Sequence, residues 1–400
     1  MNVPKLRFKE FNDEWSLTNI RNISSLVTKG TTPRKYEDKG INFVKVENIH
    51  DNTISNISSY ISEDTHNKEL KRSILKENDI LFSIAGALGR TAIVKNNNLP
   101  ANTNQANAII RIDNLDNIDL YYLLNRLNHS DITNYINKCQ SVGAQPNLSL
   151  EQVNNINVSL PSKKEQIKIG KLLELLDRKI ELQTKKIEDL KLFKKGLSND
   201  LINGINEYKE FSLKDIGITY SGLSGKSKED FESGNSKFVS FMSILKDKIE
   251  IDKLPTVMIN GNEKQNKVQK YDLFFNTSSE TKEEVALCST INEDVDNLYL
   301  NSFCFGYRIN DLKLVNNEYL NIMLHCTSYR KLISNLGQGF TRVNISKNEL
   351  MDLVVKVPSI DDQIKIVDII NKVKSIIDLE AIKLSKLQEL KKGLMQNMFV

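Results

Sequence analysis

The segment Pro161-Ser162-Lys163-Lys164-Glu165-Gln166-Ile167-Lys168-Ile169 returns 197 residues later as Pro358-Ser359-Ile360-Asp361-Asp362-Gln363-Ile364-Lys365-Ile366. The same offset runs without a gap to Lys194-Lys195-Gly196-Leu197 and its copy Lys391-Lys392-Gly393-Leu394. Upstream it pairs Asn147-Leu148-Ser149 with Asn344-Ile345-Ser346, and Arg111-Ile112 with Arg308-Ile309. Near the start of each copy, Trp15-Ser16-Leu17 answers Phe211-Ser212-Leu213. So long a period excludes a solenoid of small repeats and demands two copies of one larger unit. A chain of 400 residues has room for both.

Each copy ends in a long apolar-periodic stretch. Steps of four and three residues from Ile169 meet Leu173, Leu176, Ile180, Gln183, Ile187, Leu190, Lys194, Leu197 and Leu201. The same steps from Ile366 meet Ile370, Val373, Ile377, Glu380, Leu384, Leu387, Lys391, Leu394 and Met398. This is the seam of a coiled coil, with polar residues at the same two steps in both copies. Proline precedes each stretch and none interrupts it. A helix of 40 residues is about 60 Å long, and one alone would leave its stripe in water. The other copy is the nearest available partner. In an antiparallel pair Gln183 and Glu380 would either face each other and fix the register or both reach solvent at a seam edge, while Lys194 and Lys391 would reach out to solvent.

The remainder of each copy reads as a mixed α and β globule. Strand patterns occur at Ile41–Val46, Asp79–Ile84 and Ala108–Ile112 in the first, followed by helical spacing from Asp119 to Ile136. The second repeats the order at Lys237–Phe241, Asp272–Phe275 and Phe303–Ile309, with a helix from Glu318 to about Ser334. The expected fold is α+β, with two similar mixed α/β domains, residues 1–160 and 207–357. Each is followed by a long helix, residues 161–206 and 358–400. The two helices are expected antiparallel, as a coiled coil with pseudo-two-fold symmetry.

Composition removes several classes of protein. Hydrophobic residues make up 40% and charged residues 26%, as in a globular chain rather than a disordered one. No stretch approaches the roughly 18 apolar residues of a membrane-spanning helix, and the opening residues lack the apolar core of a signal peptide. A cytoplasmic location is expected. Cys139, Cys288, Cys304 and Cys326 form no Cys-x-x-Cys, and His50, His66, His129 and His325 show no metal-ligand spacing, so no metal is expected. The net charge of +4 is only mildly basic. Lys163–Asp200 holds eleven Lys and Arg against seven Asp and Glu, and Asp361–Lys392 seven against six. The helices thus account for all the excess. Any nucleic-acid surface on the globules must be a local patch.

No catalytic constellation emerges. There is no phosphate-binding Gly-x-x-x-x-Gly-Lys-Ser/Thr, no Gly-x-Ser-x-Gly elbow, and no Asn/Asp-Pro-Pro-aromatic stretch of an adenine methyltransferase. The turn Gly86-Ala87-Leu88-Gly89 follows a strand but lacks the dinucleotide fingerprint. Asp361-Asp362 and Glu283-Glu284 read as solvated charge. A binding protein is expected, with two related heads able to meet two half-sites on duplex DNA. A coiled-coil adaptor joining two protein partners, without touching DNA, is the alternative.

The whole chain resembles the specificity subunit of type I restriction–modification systems. The resemblance lies in Pro4-Lys5-Leu6-Arg7-Phe8 with Glu14-Trp15, Gly30-Thr31-Thr32-Pro33, Gln145-Pro146-Asn147-Leu148-Ser149, Pro161 to Ile167, and Lys194-Lys195-Gly196-Leu197 with its repeat. In the second copy, Ser221-Gly222-Leu223-Ser224-Gly225-Lys226 and Asp272 to Thr281 look like recognition-domain segments, although Gly30-Thr31-Thr32-Pro33 has no close sequence copy there. The resemblance implies a non-catalytic subunit whose two target recognition domains each read one half of an asymmetric, bipartite DNA target. It implies that the helices set the spacer and recruit two modification (methyltransferase) subunits, with restriction and translocase subunits in the full complex. S-adenosylmethionine, ATP and Mg2+ are then expected in the partner subunits, and no cofactor in this chain.

Loop residues able to read bases or grip phosphates are the expected contacts. In the first head these are Thr31, Thr32, Arg34, Lys35, Ser83, Arg90, Gln145 and Asn147. In the second they are Lys226, Lys228, Ser278, Ser279, Thr341, Arg342 and Asn344. Each could instead serve a turn or a cap, above all Asn147 with Ser149. Arg111 and Arg308 lie within strand patterns, where an ion pair is at least as good an account.

Overall fold

The computed structural model describes residues 3–50, 52–139, 147–231, 233–246, 249–339 and 341–400. The chain divides into two compact units, Met1–Lys185 with Ala381–Val400 and Lys186–Glu380. Each unit contains one head.

Each head is built on an antiparallel four-stranded sheet of the same topology. In the first, β1 (Ser24–Lys29), β2 (Ile80–Ser83), β3 (Thr91–Ile93) and β4 (Asn107–Ile112) lie in the order β1-β4-β2-β3. In the second, β5 (Gly217–Ser221), β6 (Leu273–Asn276), β7 (Cys288–Thr290) and β8 (Cys304–Ile309) lie in the order β5-β8-β6-β7. β4 and β8 are paired on both edges, so their residues are buried on both faces and the sequence loses its alternation there. The half-buried exceptions are Arg111 and Arg308. Each makes a two-pronged bond to a buried aspartate, Arg111 to Asp79 at 2.7 Å and Arg308 to Asp272 at 2.8 Å. Those bonds push both guanidinium pKa values up. The repeated arginine is therefore structural. A smaller mixed sheet accompanies each: Ile41–Val44 lies parallel to Ala101–Thr103, as Ser236–Val239 does to Leu298–Leu300.

One expectation is corrected. The apolar spacing from Asp119 to Ile136 is two helices, Leu120–Leu127 and Ser130–Cys139, and the stretch from Glu318 is likewise Asn317–His325 and Thr327–Leu336. At the first break, the Asn128 amide turns back to the Leu124 carbonyl and to Thr91. At the second, Cys326 is extended. Both helices of each pair bury apolar residues in the same core, which keeps the apolar count continuous across the break.

The long helices run from Lys163 to Asn203 and from Ile360 to Met398. The repeated Pro-Ser-x-x-x-Gln ties each to its head. Buried Gln166 donates to the carbonyls of Asn117 (3.1 Å) and Pro161 (2.9 Å) and accepts from the Asp119 amide (3.0 Å). Gln363 makes the same three bonds, to Leu314, Pro358 and Asn316. Within the first unit, Ile169, Leu173 and Leu176 pack with Leu387, Leu394 and Met398. Within the second, Leu197, Leu201 and Ile202 pack with Ile366, Val367 and Ile370. Start meets end in both units, so the pairing is antiparallel as expected. Gln183 is half-buried in the first unit; Glu380, in the second and 6% exposed, takes the Lys186 ammonium at 3.0 Å. Lys391 does not simply reach solvent, because its ammonium pairs with Asp177. Among the described residues no helix is long and apolar enough to cross a membrane.

Candidate nucleic-acid interface

In both heads four chain segments converge at one edge through backbone hydrogen bonds. In the first head the segment after β1 docks on the loop before β4. The Thr31 amide donates to the Thr103 carbonyl (3.1 Å), and the Thr32 hydroxyl bonds to Gln105. The Ala106 carbonyl receives the amides of Ile84 (2.7 Å) and Ala85 (3.3 Å) from the end of β2. The Leu148 amide donates to the Ile84 carbonyl (2.8 Å), and Asn147 bridges Ala85.

The second head repeats this frame. The Leu223 amide donates to the Leu300 carbonyl (2.7 Å). The Phe303 carbonyl receives both the amide (3.3 Å) and the hydroxyl (2.8 Å) of Thr277. The Ile345 amide donates to the Thr277 carbonyl (3.1 Å), and Ser278-Ser279 pairs with Val343-Asn344 as a short ladder. Gly30 and Gly222 make the close approach possible. A Cβ on Gly30 would lie 2.1 Å from the carbonyl oxygens of Thr103 and Asn104, and one on Gly222 would lie 2.1 Å from that of Asn301. Gly222-Leu223-Ser224 thus stands where the first head has Gly30-Thr31-Thr32. There is no close sequence copy, yet the place is the same: only the glycine is retained, because only the backbone does the shared job.

The expected contacts divide into two groups. Thr32, Arg34, Lys35, Arg90, Asn147, Lys228, Thr341, Arg342 and Asn344 are exposed, and Thr31 is half-buried. Thr31, Thr32 and Asn147 are gathered in the first convergence, and Arg342 and Asn344 flank the second. Arg34 and Lys35 lie just beyond, loosely paired with Glu69 (3.8 Å) and Glu37 (3.2 Å). Arg90 reaches the carbonyls of Val46 and Ile49 at 3.4 Å.

The second group holds the frame. Ser83 is fully buried, donates to the Ala87 carbonyl and accepts from the Arg90 amide (2.7 Å), which closes the glycine turn. Ser278 and Ser279 are buried in their ladder, and the Ser279 hydroxyl donates to Glu284 (3.0 Å). The Lys226 ammonium is enclosed by the Glu263 carboxylate (2.6 Å) and the Met258 carbonyl (2.6 Å), and it holds Glu263 down to about 2. The side chains of Ser83, Ser279 and Lys226 are thus already engaged, and Ser278 is buried, unlike the exposed group. Gln145 lies outside the described residues. Ser149 caps the helix Leu150–Asn154, and Ser346 caps Lys347–Met351. Gln105, Ala106, Asn301 and Phe303 were not expected at the edge; the repeat offset links Asn104 to Asn301, just ahead of the repeated strand, and could have located that loop.

Burial pushes the thiols of Cys288, Cys304 and Cys326 up to about 12, so they are protonated and poor nucleophiles at neutral pH. Among the described residues no three His, Cys, Asp or Glu are grouped to hold a metal.

A family model described as the type I restriction modification DNA specificity domain matches residues 12–192 and again residues 205–389. A chain of Methanocaldococcus jannaschii, provisionally named as the specificity subunit of the type I restriction enzyme MjaX, is 24% identical over 98% of this chain and 95% of its own length. Among solved structures, the type I S subunit of M. genitalium superposes with a TM-score of 0.57 at 15% identity, covering 100% of this chain and 99% of that one. A chain from a type I restriction–modification assembly superposes with a TM-score of 0.62 at 17% identity, covering 96% and 97%. The chain belongs to the type I restriction–modification specificity subunits, a non-catalytic family that acts with DNA and the other subunits of such systems. The adaptor alternative has no support from these comparisons.

Proposed function

We propose that each head reads one half of an asymmetric, bipartite DNA target, while the two long helices set the unread spacer and recruit two modification subunits. The observation that carries this reading is the edge itself: one backbone frame, formed twice, presents different side chains in the two heads. Arg34, Lys35 and Arg90 beside Thr32 and Asn147 would engage the first half-site, and Lys228, Thr341, Arg342 and Asn344 the second. The helices offer apolar side chains outside their seam. Leu175, Leu182, Leu192, Phe193, Leu379 and Ile382 are each more than half exposed, which suits a protein partner.

Adenine-N6 methylation and ATP-driven cleavage would reside in the partner subunits with S-adenosylmethionine, ATP and Mg2+, and this chain would bind no cofactor. The assembly would work in the cytoplasm. Genome-wide methylation mapping of cells with and without this chain, in the presence of its modification subunit, tests the reading. A single split motif that disappears with the chain is expected. An unchanged methylation pattern, or a chain whose complex shows no salt-dependent DNA binding, would defeat it.

A further inference from the structure

Phe303 stands on the reading edge of the second head with its side chain 63% exposed. Leaving a phenyl ring in water forgoes burial that would stabilise the fold. The loop is nevertheless held firmly. The Phe303 amide donates to the Asn301 side chain (2.9 Å), and its carbonyl takes both bonds from Thr277. Thr277 in turn receives the Ile345 amide, next to Asn344 and close in sequence to Arg342. The exposed ring therefore sits on a fixed base beside side chains suited to base edges. The corresponding residue of the first head is Ala106, whose carbonyl makes the equivalent backbone bonds. Both are apolar, and they differ in reach by a whole ring.

Resting on the reading of the heads as DNA readers, we propose that Phe303 is a specificity-determining residue of the second half-site, making apolar contact with the 5-methyl group of a thymine in the major groove. Arginine, asparagine and threonine are the side chains that hydrogen-bond base edges there, and apolar groups discriminate the thymine methyl. Phe303 supplies the apolar surface that Arg342 and Asn344 lack, larger than the single methyl of Thr341, and Ala106 would supply a shorter one in the first head.

The test uses the chain assembled with its modification subunits, and duplexes in which each thymine of the mapped target is replaced in turn by deoxyuridine. Each replacement removes one methyl group and keeps the pairing. One replacement in the second half-site should slow wild-type methylation about fourfold, as expected for one lost apolar contact of methyl size. Phe303→Ala should be slower on the intact target and indifferent to that replacement, whereas Phe303→Leu should stay partly sensitive. Replacements in the first half-site should affect all three proteins alike. An unchanged melting temperature in Phe303→Ala shows that the effect is not a folding loss.

The proposal is overturned if wild type and Phe303→Ala respond alike to every replacement, if no replacement in the second half-site matters, or if that half-site contains no thymine. The broader reading survives those outcomes so long as Arg342→Ala still relaxes the second half-site. It fails separately if methylation does not depend on this chain.

Discussion

The two heads share a backbone and little of the surface built on it. Residues that hold the frame recur in pairs: Asp79 and Asp272 with their arginines, Gln166 and Gln363 at the helix starts, and Tyr122 and Tyr319, whose hydroxyls both bond the strand preceding a long helix. Residues on the convergent edge do not recur: Thr31 corresponds to Leu223, Ala85 to Ser278, and Ala106 to Phe303. Asn147 and Asn344 are the exception, alike in type and in place. The frame depends on buried polar bonds, which tolerate little change. The edge depends mainly on backbone amide-to-carbonyl bonds, which residues other than proline can donate whatever their side chain. If the edge reads DNA as proposed, folding and recognition are carried by different positions, and one can vary while the other is kept.

The strongest way to break this comparison is to exchange a head. Replacing residues 1–160 by those of a relative should change one half of the methylated motif completely and leave the other half and the spacer untouched. Methylation mapping reads the outcome directly, and a change in both halves would show that the heads do not read independently.

The next effect is on stability. Removing one partner of a buried ion pair destabilises by about 3–5 kcal/mol. Asp79→Ala and Asp272→Ala should each unfold their own head at lower denaturant, as followed by hydrogen exchange resolved along the chain. Each aspartate accepts the amide three residues before it, Lys76 for Asp79 and Gln269 for Asp272, and Asp272 also accepts from the Tyr220 hydroxyl at 2.7 Å. Asp272→Ala should therefore be the more damaging. Equal losses would show that the tyrosine bond adds nothing.

Smaller still is the loss of a single reader. Arg342→Ala or Asn344→Ala should cost about 1–3 kcal/mol in discrimination at one position of the second half-site, with the first half-site unchanged. Competition between matched and singly mismatched duplexes measures it. Uniform weakening across all sequences would instead mark Arg342 as a phosphate contact.

Much of this was legible in the residues. The repeat exposed the two-unit plan, and the seam with its flanking prolines exposed the long helices, because helix periodicity and proline punctuation are local signals. The break at Asn128 was hidden, since side-chain bonds to Thr91 and Leu124 bring it about while the apolar face continues. The edge was read only in part. Ser83, Ser278 and Ser279 are of the type that contacts DNA and also of the type that closes turns, and burial alone separates the two uses. The equivalence of Gly222 to Gly30 was hidden because the job they share belongs to the backbone.

Lys226 and Lys228 sharpen the comparison at its finest scale, because sequence treats them alike and the structure does not. The Lys226 side chain is 5% exposed and bound to Glu263, whereas Lys228 is exposed. Each phosphate neutralised adds about 0.9 to the salt slope of DNA binding. Lys228→Ala in the assembled complex should lower that slope by about one without altering the motif. Lys226→Met should leave the slope unchanged and loosen the loop instead. The partnership also has a pH signature. Lys226 holds the Glu263 carboxylate at about 2, below its ordinary 4.5. A depressed carboxylate contributes its full stability above the unfolded value, and loses it as pH falls towards the folded one. The Glu263 titration, followed by NMR, should therefore have its midpoint near 2 in the wild type and return towards 4.5 in Lys226→Met. The stability change over that window should be small, because the Glu263 carboxylate stays open to water on one side. A slope that falls as much in Lys226→Met as in Lys228→Ala would return Lys226 to the DNA-binding group.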